Sequence, residues 1–241
     1  MYTWIDANSQ WIMSAIADNL QAVTARIRVA AELAGRSPES VRLLAVSKTW
    51  PLAAVLTAAA AGQQAFGENY VREGVDKATA SADRQLEWHF IGPLQSNKSR
   101  PVAEHFDWVH SIDRLKIAER LSAQRPGHLP PLQVCVQVNV SGEASKSGCA
   151  PDEAPELCRA VATLPGLRLR GLMTVPEASD DMAAQQIPFR RLREIFEAIR
   201  QDGLPLDTLS MGMSHDLEAA VAEGATIVRI GTAIFGERNY P

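Results

Sequence analysis

The chain carries chemistry-bearing side chains at the ends of short apolar runs. Lys48 follows the run Val41–Val46 and shares one face with Leu44 and Val46 by period-two alternation. Burying an ammonium is costly unless it is paired or neutralised. Lys48 therefore reads either as a lysine that leaves its strand for solvent, or as a partly desolvated amine of lowered pKa, competent to form a Schiff base. Further along, Phe66-Gly67-Glu68-Asn69 closes a second apolar run with two polar groups. His89 interrupts Trp88–Ile91, and Gln137 and Asn139 lie on one face of Val134–Val140, where polar side chains need partners.

The last two runs end in small and hydroxyl residues. Leu209-Ser210-Met211-Gly212-Met213-Ser214 leads into a helical pattern, with Glu218 four residues after Ser214 suggesting a cap. Arg229-Ile230-Gly231-Thr232 follows. Glycines let backbone N–H groups approach an anion and hydroxyls donate to it. Arg229, inside an apolar run, has a reason to be there if it meets an anion or a ring nitrogen. An amine and a phosphate cradle in one pocket suit a carbonyl-bearing phosphate ester, of which pyridoxal 5′-phosphate is the obvious candidate.

These residues need a scaffold that brings them together. Apolar runs at Val41–Val46, Gln64–Phe66, Trp88–Ile91, Trp108–Ser111, Leu132–Val140, Leu167–Val175, Thr208–Met211 and Thr226–Ile230 read as strands. Helical patterns separate them, starting near Pro51, Tyr70 and Asn97 and covering Arg114–Ser122, Pro151–Leu164, Met182–Arg200 and Asp216–Ala222. Eight strand–helix units predict an α/β fold, a closed (β/α)8 barrel whose chemistry gathers at the C-terminal ends of its strands. The competitor is an open doubly wound sheet, but no Gly-rich dinucleotide-binding turn supports it. Ahead of the barrel, the apolar spacing over Asn8–Leu33 predicts an added amphipathic helix. Residues 1–241 read as one domain.

Composition narrows the setting. The chain has 241 residues, 46% apolar and 22% charged, with net charge −4, so it is neither disordered nor drawn as a whole to nucleic acid or anionic membrane. Cys135, Cys149 and Cys158 show no CxxC spacing, which predicts neither a zinc site nor a disulfide framework. Cys135 reads as core. No signal peptide or membrane span is expected, and the reading is cytoplasmic. Lys77 and Lys146 read as solvated charges rather than a second ligand site.

The stretches LLAVSKT (43–49), FGENYVRE (66–73), WHFIGPLQSNK (88–98), SID (111–113), QVNVSGEASKSG (137–148), GLMTV (171–175), LSMGMSHDLEAAV (209–221) and VRIGTAIFGER (228–238) closely resemble the pyridoxal-phosphate homeostasis proteins, relatives of the N-terminal barrel of alanine racemase. The resemblance implies that Lys48 carries pyridoxal 5′-phosphate covalently as an internal aldimine. It implies that Ser210, Ser214, Gly231 and Thr232 surround the phosphate with backbone from Met211, and that Asn69 and His89 lie near the ring. Arg229 is placed near the phosphate or the pyridine nitrogen, the choice left open. His215 occupies a variable position within the motif.

The implied role is a carrier that stores, buffers and delivers the cofactor to apo-enzymes, as a monomer and without catalysis of its own. The alternatives are an amino-acid racemase or other enzyme using the cofactor, and a barrel binding another phosphate ester with Lys48 as a point charge. Two-base racemisation needs an acid/base group on each face of the ring. The related racemases supply the second, a tyrosine, from a separate domain, and the chain's own tyrosines are Tyr2, Tyr70 and Tyr240. Its length leaves no room for that domain, which favours the carrier.

Overall fold

A computed structural model describes residues 7–143 and 146–237. Eight parallel strands close into a barrel: β1 (Arg42–Val46), β2 (Ala65–Glu68), β3 (Glu87–Phe90), β4 (Trp108–Ile112), β5 (Leu132–Gln137), β6 (Leu167–Met173), β7 (Thr208–Ser210) and β8 (Ile227–Ile230). Each pairs with its sequence neighbour, and β1 closes on β8 through Leu44↔Arg229 and Ala45↔Ile230. This register sets the first and last strands side by side, so the ends of both open onto one mouth.

Strands β5 and β6 are shorter than the apolar runs that announce them. The β5 run continues to Val140, but Asn139 turns its amide to the loop that follows, donating to the carbonyls of Glu143 and Lys146. Gln137 similarly donates to the Ser147 carbonyl. The two polar side chains expected to need partners find them in their own loop.

The connecting helices are α2 (Leu52–Ala60), α3 (Val71–Ala80), α4 (Ser99–His105), α5 (Leu115–Gln124), α6 (Ala154–Ala162), α7 (Met182–Gln201) and α8 (Leu217–Ala222). A short α9 (Thr232–Phe235) follows β8. The added N-terminal helix α1 (Ala7–Leu33) buries Ile16, Leu20, Val23, Ile27 and Ala30 against α2, α8 and α9. Their three- and four-residue spacing is what makes one apolar stripe.

The core has two parts. Most buried apolar side chains lie between the barrel and its helices, where strands covered on both faces need near-continuous apolar sequence. Leu44, Ala65, Trp108, Cys135, Met173 and Ile227 form a second cluster, with Ile91 and Val175 packed on it. Cys135, Cys149 and Cys158 are free and buried, and burial pushes the Cys149 and Cys158 thiols up to about 12. No described helix is long and apolar enough to cross a membrane.

Candidate functional site

A cavity of about 260 Å³ opens at the C-terminal end of the strands. Lys48 from the end of β1, Asn69 after β2, Ser214 and His215 after β7, Arg229 from β8, and Gly231 and Thr232 beyond it all line it. Val46, Ile91, Val175 and Met213 supply apolar wall.

Lys48 is aimed by a strained turn. Thr49 has φ +68°, an outlier for a β-branched residue. Something must hold it there, and a buried ion cluster behind the turn does. Lys77 Nζ, on α3, donates to the Ser47 carbonyl at 2.8 Å and to Glu68 Oε1 and Glu73 Oε1 at 2.7 Å each. Glu73 accepts the Thr49 N–H at 2.6 Å, and Glu68 accepts the Ser47 hydroxyl at 2.6 Å. Main-chain groups on both sides of Lys48 are therefore tied to one ammonium and two carboxylates. Burial pushes the Glu68 carboxyl up, and the Lys77 ammonium opposes the shift.

Asn69 is positioned by a close approach of backbone. A Cβ on Gly92 would lie 2.2 Å from the Asn69 carbonyl oxygen, so only glycine lets the β3 loop pass there. The buried Asn69 side-chain oxygen has no partner in the protein. Buried polar atoms are seldom left unpaired, and an orphan lining a cavity marks a place for a ligand group.

The opposite wall is set by β7, β8 and α1. Gly212, at φ +94°, would bring a Cβ within 2.5 Å of Ala220 Cβ, so glycine is required where β7 turns toward α8. Asp216, not Ser214, precedes α8 and accepts the Met213 N–H at 2.5 Å. The expected Ser214–Glu218 cap does not form, because Glu218 pairs with Arg26 of α1. Arg26 also donates to the Ser214 carbonyl at 3.2 Å, and Asn19 to the Ile234 carbonyl at 2.9 Å. The N-terminal helix thus clips both loops of this wall, and Ser214 lines the cavity.

Arg229 is 4% exposed. It donates to the Ser210 carbonyl (2.6 Å), the Ser210 hydroxyl (2.9 Å) and the Thr174 carbonyl (2.8 Å). Burial lowers its guanidinium to about 10, with Asp216 opposing the shift, so it remains a cation at neutral pH.

Three of the residues expected to surround a ligand lie elsewhere. His89 and Ser210 are fully buried outside the cavity lining, bonded to His110 from opposite sides. The Met211 side chain is buried in the core between barrel and helices, and its N–H is spent on the Ile227 carbonyl. Lys77 is not solvated but is the buried centre of the cluster behind Lys48.

That cluster, His110 and the α1 clips escape a reading of strand ends. Glu73 and Lys77 do stand at helical i,i+4 spacing, a signal for a pair though not for its burial. His215 is exposed at the rim. Among the described residues, no group of three or more His, Cys, Asp or Glu side chains is placed to hold a metal. A larger apolar groove of about 770 Å³ adjoins Asn69, with Tyr70, Val71 and Val75 in its lining.

Residues 19–239 match the family model described as alanine racemase, N-terminal domain. Over 228 residues the chain is 64% identical to the pyridoxal phosphate homeostasis protein of Pseudomonas aeruginosa, covering 95% of this chain and 98% of the relative. It is 56% identical over 231 residues to the protein of the same name from Escherichia coli K12, covering 95% and 99%. PipY of Synechococcus elongatus PCC7942, solved with PLP bound, superposes with TM-score 0.78 at 38% identity, covering 92% of this chain and all of that one. The chain belongs to the pyridoxal phosphate homeostasis protein family, built on the alanine racemase N-terminal domain.

Proposed function

We propose that this chain holds pyridoxal 5′-phosphate on Lys48 and serves as a carrier that buffers the cofactor and delivers it to apo-enzymes. The observation that carries the reading is the convergence, in one cavity, of the Lys48 amine, the unpartnered Asn69 side-chain oxygen, the Arg229 cation and the small polar edge of Ser214, Gly231 and Thr232. PipY, a relative at 38% identity, was solved with PLP bound.

The residues fit the group. Lys48 would hold the group through its side-chain amine, which in its uncharged form can condense with an aldehyde with loss of one water. Ser214 and Thr232 would hold the phosphate through their hydroxyls, beside the Gly231 backbone, which carries no side chain to block approach. Arg229 supplies fixed positive charge at the cavity. When bound, the cofactor supplies an electrophilic carbon conjugated to an electron-withdrawing ring.

A carrier needs this link and its reversal, and nothing more. Racemisation needs a second acid/base group facing Lys48 across the ring. Among the described residues lining the cavity, His215 is the remaining side chain able to move a proton, and it is exposed at the rim. We read the carrier as non-catalytic, and as a cytoplasmic monomer with residues 1–241 as one domain.

Two measurements test the role. Loaded protein mixed with an apo-enzyme restores that enzyme's activity, and the cofactor absorbance of the carrier falls in step. Loaded protein incubated with single-enantiomer amino acids in deuterated water leaves Cα unlabelled. Solvent deuterium entering Cα at a turnover-like rate overturns the carrier in favour of a racemase.

A further inference from the structure

A row of side chains, buried from Arg229 to His89, runs from the cavity down through the barrel interior. Arg229 Nη1 is 2.9 Å from Ser210 Oγ, which is 2.7 Å from His110 Nδ1. His110 Nε2 is 2.9 Å from His89 Nδ1. His89 Nε2 is 2.5 Å from Glu87 Oε1, which also meets Arg42 Nη1 at 2.8 Å. Glu87 and Arg42 line a cleft at the N-terminal end of the strands, opposite the cavity.

The Glu87 end fixes the proton on every member, because a carboxylate only accepts and each neutral imidazole carries a single proton. A guanidinium only donates. Ser210 Oγ accepts from Arg229 and gives its own proton to His110 Nδ1. His110 then carries its proton on Nε2 and gives it to His89 Nδ1. His89 carries its proton on Nε2 and gives it to Glu87. Both imidazoles are neutral in this order, and each bond points the same way.

The surroundings agree. Both rings are fully buried. Trp108 of β4 stacks on His89 with centroids 5.2 Å apart. Burial drives both imidazoles toward the neutral form, and the Arg229 and Arg42 cations push His110 the same way. Glu87 and Asp107 face His89 and oppose the shift without reversing it.

We propose that Ser210, His110, His89 and Glu87 are positioning residues: they hold the Arg229 guanidinium in one orientation at the cavity and tie it to the Glu87–Arg42 ion pair at the opposite face of the barrel. The effect on cofactor rests on the reading of the cavity as a pyridoxal 5′-phosphate site; the proton order does not. Aligned hydrogen bonds polarise one another, so a change at Glu87 is felt at Arg229.

Nitrogen-15 NMR of the imidazoles in cofactor-free protein tests the order, with His89→Gln and His110→Gln assigning the signals. Both rings are expected as neutral Nε2–H tautomers from about pH 5.5 to 8, the range over which a free histidine titrates. An imidazolium, or a proton on Nδ1 of either ring, overturns the proposal. The consequence is read in the absorbance spectrum of fully loaded protein and in its retention of pyridoxal 5′-phosphate. Ser210→Ala is expected to shift the spectrum and weaken retention by roughly tenfold, and Ser210→Thr, which keeps the hydroxyl, to restore both. A Ser210→Ala protein that folds, loads and matches the wild-type spectrum and retention also overturns it. Wild-type protein that takes up no cofactor sinks the reading of the cavity instead, and the NMR result still decides the order of the row.

Discussion

Lys77 Nζ lies 2.8 Å from the carbonyl oxygen of Ser47, so a buried ammonium grips the main chain one residue before the candidate cofactor lysine. The same ammonium binds Glu68 and Glu73, and Glu73 holds the strained Thr49 on the other side. The cluster supplies the over-determination that a left-handed, β-branched residue requires.

Lys77→Met is therefore expected to destabilise the fold by about 3–5 kcal/mol, because it leaves the fully buried Glu68 without its cation. Adding Glu68→Gln recovers part of the loss by removing the charge. Urea unfolding of the two variants checks both statements. Equal stability of the single and double variants contradicts them.

Gly92→Ala places a Cβ against the Asn69 carbonyl, where backbone rather than a flexible side chain must give way. Overpacking of this kind costs about 1–3 kcal/mol. Retention of pyridoxal 5′-phosphate is expected to fall with it, since Asn69 moves. Gly127→Ala, where a Cβ meets nothing within 4 Å, is the control and leaves both unchanged. Thermal melts and dialysis of loaded protein report the two effects.

Arg26→Ala separates stability from site geometry. Its ion pair with Glu218 is about two-fifths exposed, so its loss costs only about 0.2–1 kcal/mol. The Ser214 loop loses its clip from α1, however, and cofactor release is expected to quicken several-fold. Unchanged release kinetics would show that α1 does not organise this wall.

Glu87 gives a pH signature. Burial pushes its carboxyl up, but the His89 ring N–H and the Arg42 guanidinium outweigh burial and hold it below the ordinary carboxylate range. A lowered folded-state pKa means a stability contribution present above the unfolded value and lost as pH falls through the folded one. Stability of the wild type should drop between about pH 4.5 and the folded-state value of about 2, and Glu87→Gln should flatten that limb. Denaturant midpoints across this range make the comparison.

The barrel was legible in the sequence because parallel strands buried on both faces leave plain apolar runs, and because Lys48, Ser214, Gly231 and Thr232 stand just where those runs end. The pattern also marked Arg229, a charge inside an apolar run. What it does not give is depth along the barrel. His89 and Ser210 occupy inner faces too, but below the cavity, and their partner His110 lies inside its strand, ahead of the polar end at Ser111 and Asp113. Lys77 escaped because its partners come from β1, β2 and α3 at once, and a single helix face does not reveal such a meeting.

The central claim is that Lys48 is the attachment point. Purified protein incubated with pyridoxal 5′-phosphate, reduced with borohydride and digested is expected to carry the phosphopyridoxyl mass on the peptide containing Lys48, and Lys48→Ala is expected to lose that label. Protein that stays colourless and unlabelled, or a label carried in full by Lys77, Lys98, Lys116 or Lys146, contradicts the account.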